Sequence, residues 1–404
     1  MFKSNRSVLF LASVVIAGLC NSSFGQLSQI RLETETMLPL MDFQNRQSDK
    51  QTILLDQNRD FQGQELLLGT QFRGSLLFGE TNSANRFPYL GRFPGDWSGT
   101  TASEARMLQA NFDAVANISP WITGHVDILF SDVFSFRDFK QGSIQVRQAY
   151  AVIGNLNECP MYGFIGKKNV SFGDFSTLSP FTQAVPWHYF ASLAEGAGVG
   201  YYANGWHIVG TALNGSRGIR VVDSEERGHL NNFAINATHE WTNGHLFTRF
   251  GAGYLHGTIY DGETAEHLDP TVTGPRNGLW DVNGTVRYER LTVSGEFIQT
   301  MKNWPVTDAR VTAYKVEAAL DVHFGAAPGW ISGSWSEGLQ GPEGSEFEFN
   351  RQLVVGAAAE VSRNVLLTLE YVESSGFAPL INITTVSDRD VKQRSVVLGM
   401  VFVL

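Results

Sequence analysis

A two-residue alternation of apolar and polar side chains, repeated in segment after segment, is the feature that most constrains the fold of this chain. Residues 107–118 read M-L-Q-A-N-F-D-A-V-A-N-I. Leu108, Ala110, Phe112, Ala114, Ala116 and Ile118 fall on one face, and Gln109, Asn111, Asp113 and Asn117 on the other. That period suits a strand and no helix. It returns at 279–289, 314–324 and 364–372, where Val365, Leu367, Leu369 and Tyr371 oppose Thr368 and Glu370. Sixteen strands are predicted, at 66–79, 106–118, 121–131, 144–154, 161–169, 194–203, 206–214, 231–241, 245–256, 279–289, 291–301, 312–324, 329–336, 349–361, 364–373 and 392–404.

The connections alternate in length. Seven are tight and carry turn chemistry, among them Ser119-Pro120, Asn204-Gly205 and Ser362-Arg363. Eight are long, at 80–105, 132–143, 170–193, 215–230, 257–278, 302–311, 337–348 and 374–391. Short turns at one end and long loops at the other are the pattern of an outer-membrane barrel. After residue 25 no apolar run reaches the roughly 18 residues a spanning helix needs, which excludes a membrane helix bundle. The chain ends V-V-L-G-M-V-F-V-L, with Val396, Leu398, Met400, Phe402 and Leu404 on one face. Such an apolar last strand would be a sticky edge in an open sheet; in a closed barrel it pairs with the first. The expected fold is therefore all-β: a transmembrane antiparallel barrel of about sixteen strands, with short periplasmic turns and long extracellular loops.

Residues 1–25 read as a secretory signal. Lys3 and Arg6 open it, Ser7–Leu19 is apolar, and Ser23-Phe24-Gly25 places small residues before Gln26. Residues 26–62 are polar and Gln-rich, with Leu27, Ile30, Met37, Leu38 and Met41 loosely at helical spacing. They are expected to form a periplasmic extension or short plug, with a disordered tail as the alternative; residues 63–404 form the barrel. Beyond the signal one cysteine remains, Cys159, too few for an internal disulfide. The remaining 28 basic and 40 acidic residues leave a net charge of −12, which argues against a nucleic-acid partner.

A passive pore works through its geometry and field, so charged side chains on inward faces are the candidate lining. Alternation selects Arg147, Lys167, Arg249, Asp281, Arg287, Glu296, Lys315 and Glu317, with ordinary solvated wall residues as the competing explanation; Arg394 falls with the lipid-facing set. The loop at 170–193 is rich in aromatic residues and almost uncharged, and such a loop should not stand in water. Phe172, Asp174, Phe175, Phe181, Trp187, His188 and Tyr189 are its candidate constriction residues, if it folds back into the barrel. Contact with lipid headgroups or a neighbouring protomer is the alternative. The acidic stretches Asp223–Glu226 and Asp261–Glu263 suit cations bridging lipopolysaccharide, or simply an exposed loop. No HExxH, CxxC, GxSxG or P-loop is present, so no catalytic residue, metal or cofactor is assigned.

The stretch 148–205 resembles the siderophore porins typified by the legiobactin-uptake (LbtU-type) protein. Q-A-Y-A-V-I-G-N-L at 148–156 and Y-G-F-I-G-K-K-N-V-S-F-G at 162–173 carry the resemblance, through Gly154, Asn155, Leu156, Gly166, Lys167, Val170, Phe172 and Gly173. Ser171 stands where that family usually has proline. The resemblance implies uptake of an iron chelate. The expected function is passage of a small hydrophilic solute or iron chelate across the outer membrane, in contact with lipid and lipopolysaccharide. A homotrimer is expected by analogy of architecture. Two other classes stay open: an outer-membrane barrel enzyme, lipase or protease, and a soluble secreted all-β binding protein.

Overall fold

Backbone amides in hydrocarbon must all find partners, and a strand can supply them only to neighbours on both sides. The computed structural model, which describes residues 29–83, 99–131, 143–215, 230–261, 276–378 and 388–404, meets this demand by closure. After a short strand β1 (Gln29–Leu32) come β2 (Glu65–Thr81), β3 (Thr101–Ser119), β4 (Ile122–Ser131), β5 (Ser143–Ile153), β6 (Met161–Asn169), β7 (Leu193–Ala203), β8 (Trp206–Asn214) and β9 (Leu230–Asn243). They are followed by β10 (Leu246–Leu255), β11 (Leu279–Tyr288), β12 (Leu291–Thr300), β13 (Thr312–Phe324), β14 (Ala327–Leu339), β15 (Phe349–Ser362), β16 (Val365–Ala378) and β17 (Asp388–Val403). Each of β2–β17 pairs antiparallel with the next, and β17 returns to β2 in register from Gln393↔Thr81 to Val403↔Gln71. The result is a closed sixteen-stranded barrel.

All sixteen strands lie where alternation puts them. Several run further at the loop end: β3 starts at Thr101 and not 106, and β16 continues to Ala378 and not 373. These ends carry polar residues on both faces, such as Ser103 and Glu104, so they lack the apolar signal although the ladder continues.

The pleat sorts the side chains. On β2, Phe72, Leu76 and Phe78 face outward and Gln71, Arg73 and Ser75 face inward. Trp121, Trp206, Trp241, Tyr288 and Phe324 stand exposed beside the tight turns, an aromatic girdle of the kind found at a membrane interface. At the Asn204-Gly205 turn both residues have positive φ, +54° and +78°, the geometry of a two-residue hairpin.

Candidate functional site

The lumen is filled from two directions. At the short-turn end, β1 runs parallel to the foot of β2, from Gln29↔Glu65 to Leu32↔Leu68, just below the point where Leu404 bonds Thr70. The chain then turns inside. Helix α1 (Thr34–Met41) is capped by the Glu33 carboxylate, which accepts from the Glu35 N–H. It buries Met37, Leu40 and Met41 against Leu67 and Val115, and Met37 occupies the space a side chain at Gly69 would fill. Helix α2 (Gln51–Gln57) sets Leu54 and Leu55 against Tyr150, Val152 and Tyr162.

Between the helices, Phe43 lies between two wall guanidiniums, Arg147 at 4.2 Å and Arg73 at 5.6 Å from its ring. Asp49 binds Arg249 at 3.0 Å. Burial works to raise the Asp49 pKa, but Arg249 and the neighbouring His207, Arg46 and Lys168 outweigh it and hold the carboxyl below its ordinary value. The Lys50 ammonium donates to the carbonyls of Leu40 and Asp42. Burial, with Arg147 adding to it, pushes Lys50 down to about 8 against the pull of Asp42, Asp113 and Asp127. Burial also raises Asp42, against the pull of Lys50.

The second filling is the loop between β6 and β7. Three inward carboxylates on three strands grip its backbone. Glu296 on β12 accepts from the N–H groups of Asp174 (2.8 Å) and Phe175 (3.1 Å). Glu317 on β13 accepts from the Leu178 N–H (3.2 Å) and from the Thr177 and Ser334 hydroxyls. Glu370 on β16 accepts from the N–H groups of Phe181 (2.8 Å) and Thr182 (3.0 Å) and from the Thr182 hydroxyl. Gly173 at φ +68° and Phe175 at φ +53° form the tight bend that presents two successive donors to Glu296. Lys315 sits 3.4 Å from Glu296 and 3.7 Å from Glu317, so the carboxylates are buried with a counter-charge. The Phe181 ring lies over Gly399 among Leu77, Val354, Val372 and Val397. Beyond it, helix α3 (Val185–Phe190) begins an edge-to-face chain of rings, Phe190–Tyr260–Trp304–Phe347–Phe377, with centroids 5.3–5.6 Å apart.

The two fillings are bonded to each other. The Thr177 N–H donates to the Gln44 carbonyl (2.7 Å), the Gln44 amide to the Ser179 carbonyl (3.0 Å), and the Arg46 N–H to the Ser176 hydroxyl (3.2 Å). The Ser48 hydroxyl donates to the Gly173 carbonyl (2.6 Å). N-terminal segment and loop thus form one diaphragm. On its short-turn side lies a cavity of 790 Å³, bounded by Asp42–Arg46, residues 176–180 and the inward feet of the strands, including Phe247, Arg287 and Trp330.

Of the residues selected from sequence, Arg147, Arg249, Asp281, Glu296, Lys315 and Glu317 are buried on the inner face. Arg249 is 3.6 Å from Asp174 and 3.7 Å from Glu240, besides Asp49. Arg287 borders the cavity, paired with Asp321 at 2.8 Å. Lys167 requires correction. Alternation runs unbroken along β6: Tyr162, Phe164 and Lys168 are buried on the inner face, Met161, Ile165 and Lys167 fall on the outer one with Lys167 opposite Glu195, and the inward lysine is Lys168, bonded to Ser48 and Ser171. Arg394 points outward and pairs with Glu373 at 3.6 Å. Phe172, Asp174, Phe175, Phe181, Trp187 and Tyr189 are buried within the lumen, while His188 is half-buried, its ring edge-to-face with Trp187 at 5.0 Å. Asp261 is buried against Arg276 at 3.4 Å, whereas 223–226 and 262–263 lie outside the described residues. Sequence reading missed Phe43, Asp49, Lys50 and Arg73. It placed Glu370 on a polar face without giving it a role. Among the described residues no group of three or more His, Cys, Asp or Glu is placed to hold a metal.

No family model matches the chain. A UPF0422 protein of Coxiella burnetii is 24% identical over 267 residues, 61% of this chain and 55% of that protein. The chain therefore spans about half the length of this curated relative. Solved structures agree over more of the chain. OprB of Pseudomonas putida superposes with a TM-score of 0.55 at 11% identity, covering 87% of this chain and 96% of that one. The outer membrane channel DcaP of Acinetobacter baumannii gives 0.53 at 12%, covering 85% and 98%. An anion-selective porin from Comamonas acidovorans gives 0.53 at 10%, covering 84% and 100%. Identities this low carry the fold alone, and the fold is that of the sixteen-stranded outer-membrane porins: a closed antiparallel barrel with an apolar outer face.

Proposed function

We propose that the chain is an outer-membrane channel for small hydrophilic solutes, exported by the signal at 1–25 and narrowed by the diaphragm of N-terminal segment and loop. The observation that carries this reading is the sorting of side chains by the closed barrel. Its outside is apolar, and its inside carries amides, hydroxyls and paired charges around a cavity of 790 Å³. The lumen charges are largely committed to holding the diaphragm, so size and polarity govern passage more than a net field. An iron chelate is the second solute class, implied by the resemblance at 148–173. What favours it is that the loop at 174–182 is held to the wall by hydrogen bonds to the carboxylates of Glu296, Glu317 and Glu370, which a bulky solute can exchange for its own. The barrel is proposed to work as a homotrimer in contact with lipopolysaccharide.

Reconstitution tests the channel reading. The folded protein in planar bilayers should give discrete conductance steps, and proteoliposomes should swell in sugars, amino acids or iron chelates. A folded sample that neither conducts nor admits any of these solutes would remove the proposal.

A further inference from the structure

Most charges that border the short-turn cavity are committed within the wall and diaphragm. Arg287 pairs with Asp321 at 2.8 Å, and Glu317 holds Lys315 and the loop. Glu360 and Arg363 stand exposed at the turn after β15. Beside the diaphragm two opposite charges remain. The Arg46 guanidinium, half-buried, forms no ion pair among the described residues. The Glu240 carboxylate, on the inner face of β9 and 34% exposed, accepts no hydrogen bond among them and stands 3.7 Å from an Arg249 already bonded to Asp49. The two lie close enough that both act on the Tyr202 hydroxyl, yet they do not pair with each other. Their supports hold them apart. Arg46 sits at φ +49° and its N–H donates to the Ser176 hydroxyl (3.2 Å), which fixes it to the diaphragm, whereas Glu240 belongs to the wall.

The gap between them opens on the cavity, whose 790 Å³ is the size of a small-molecule site. Register adds a third group. Glu240 lies opposite Arg249 and Thr242 opposite Phe247, so the half-buried Phe247 is the diagonal inward neighbour of Glu240, and it too borders the cavity. One corner of the cavity thus presents a cation, an anion and an apolar ring. A solute with a single charge is attracted by one of the charged groups and opposed by the other. An uncharged solute forgoes the stronger, charge-assisted bonds with both. A zwitterion matches the pair, and an apolar substituent beside its charges matches the ring.

We infer that this corner binds a free amino acid with an apolar side chain, its α-carboxylate on Arg46, its α-ammonium on Glu240 and its side chain on Phe247. The bound molecule bridges the N-terminal segment and the wall. As a solute class for the channel the inference rests on the channel reading.

Saturation-transfer NMR on the barrel folded in deuterated detergent tests it, with leucine as the probe. Three analogues each lack one recognised group: isocaproate the ammonium, isoamylamine the carboxylate, and glycine the side chain. Leucine should bind about tenfold tighter than each, the worth of one charge-assisted hydrogen bond or of a partly buried apolar side chain. Glu240→Gln should remove its advantage over isocaproate, and Arg46→Gln its advantage over isoamylamine. Equal binding of leucine and the analogues by the unaltered protein, or an advantage that survives both substitutions, would overturn the inference; the first comparison decides the matter should a variant fail to fold. The readout needs no current, so a folded barrel that binds leucine in this way but passes no potassium chloride would overturn the channel reading and leave the site.

Discussion

Each loop-gripping carboxylate accepts from two or three donors that would otherwise be unpaired in a crowded lumen, and such charge-assisted bonds are stronger than neutral ones. Glu370 is the clearest case. Its removal leaves the Phe181 and Thr182 N–H groups and the Thr182 hydroxyl without their acceptor, while its position on the far wall keeps it outside the short-turn cavity. Glu370→Ala should free the loop tip at a cost of about 1–3 kcal/mol. The expected readout is larger and noisier single-channel current with little change in the gel mobility of the folded barrel. Unchanged current would show that Glu370 does not hold the constriction. At this scale the sequence was readable wherever strict parity holds, as at Glu296, Lys315 and Glu317. It misled at Lys167, because the apolar residues of β6 that set the count, Tyr162 and Phe164, face inward onto the N-terminal segment, so the apolar stripe there is not the outer one.

Among elements, the strands were legible because each carries its own signal: one face meets hydrocarbon and the other meets water. The N-terminal segment is not legible in this way. It packs against the inward face of the wall, so neither surface of that contact advertises itself. Asp49 finds Arg249 two hundred residues away, and Gln44 finds Ser179 across 135. Helical spacing at Met37, Leu38 and Met41 hinted at helix α1 but not at where it docks. Docking of this segment should depend on pH through Lys50. In water the ammonium titrates near 10.4; docked, burial brings it down to about 8. The docked form therefore holds the proton less tightly. Below about 8 both forms are charged and docking is at its weakest; it strengthens as pH rises through the window up to about 10.4, and is level above. The channel should be more conductive at pH 7.5 than at pH 10. Lys50→Met, of similar length and never charged, should lose that part of the dependence. A pH response identical in both proteins would assign it to other groups of the lumen.

At the scale of the whole molecule, closure is the condition on which everything else depends. The last strand closes the barrel through eleven register pairs between Gln393–Val403 and Thr81–Gln71. It also presents Val397 to the Phe181 site and Val403 to the helices within the lumen. Removing residues 396–404 would expose the edges of β2 and β16 together, and each backbone group left unpaired in hydrocarbon costs several kcal/mol. No local repair is available, because β1 covers only the foot of β2, from Glu65 to Leu68. The truncated chain should fail to give the compact, heat-sensitive band of a folded barrel on cold gel electrophoresis, and should not insert into bilayers. Leu404→Phe should leave both intact, because Leu404 joins Thr70 through its backbone N–H and carbonyl, at 2.9 Å each, and its side chain is exposed. A truncated protein that still formed the compact band would mean that the seam between β17 and β2 does not hold the cylinder shut. The diaphragm would then be bracing the wall, in place of the wall holding the diaphragm.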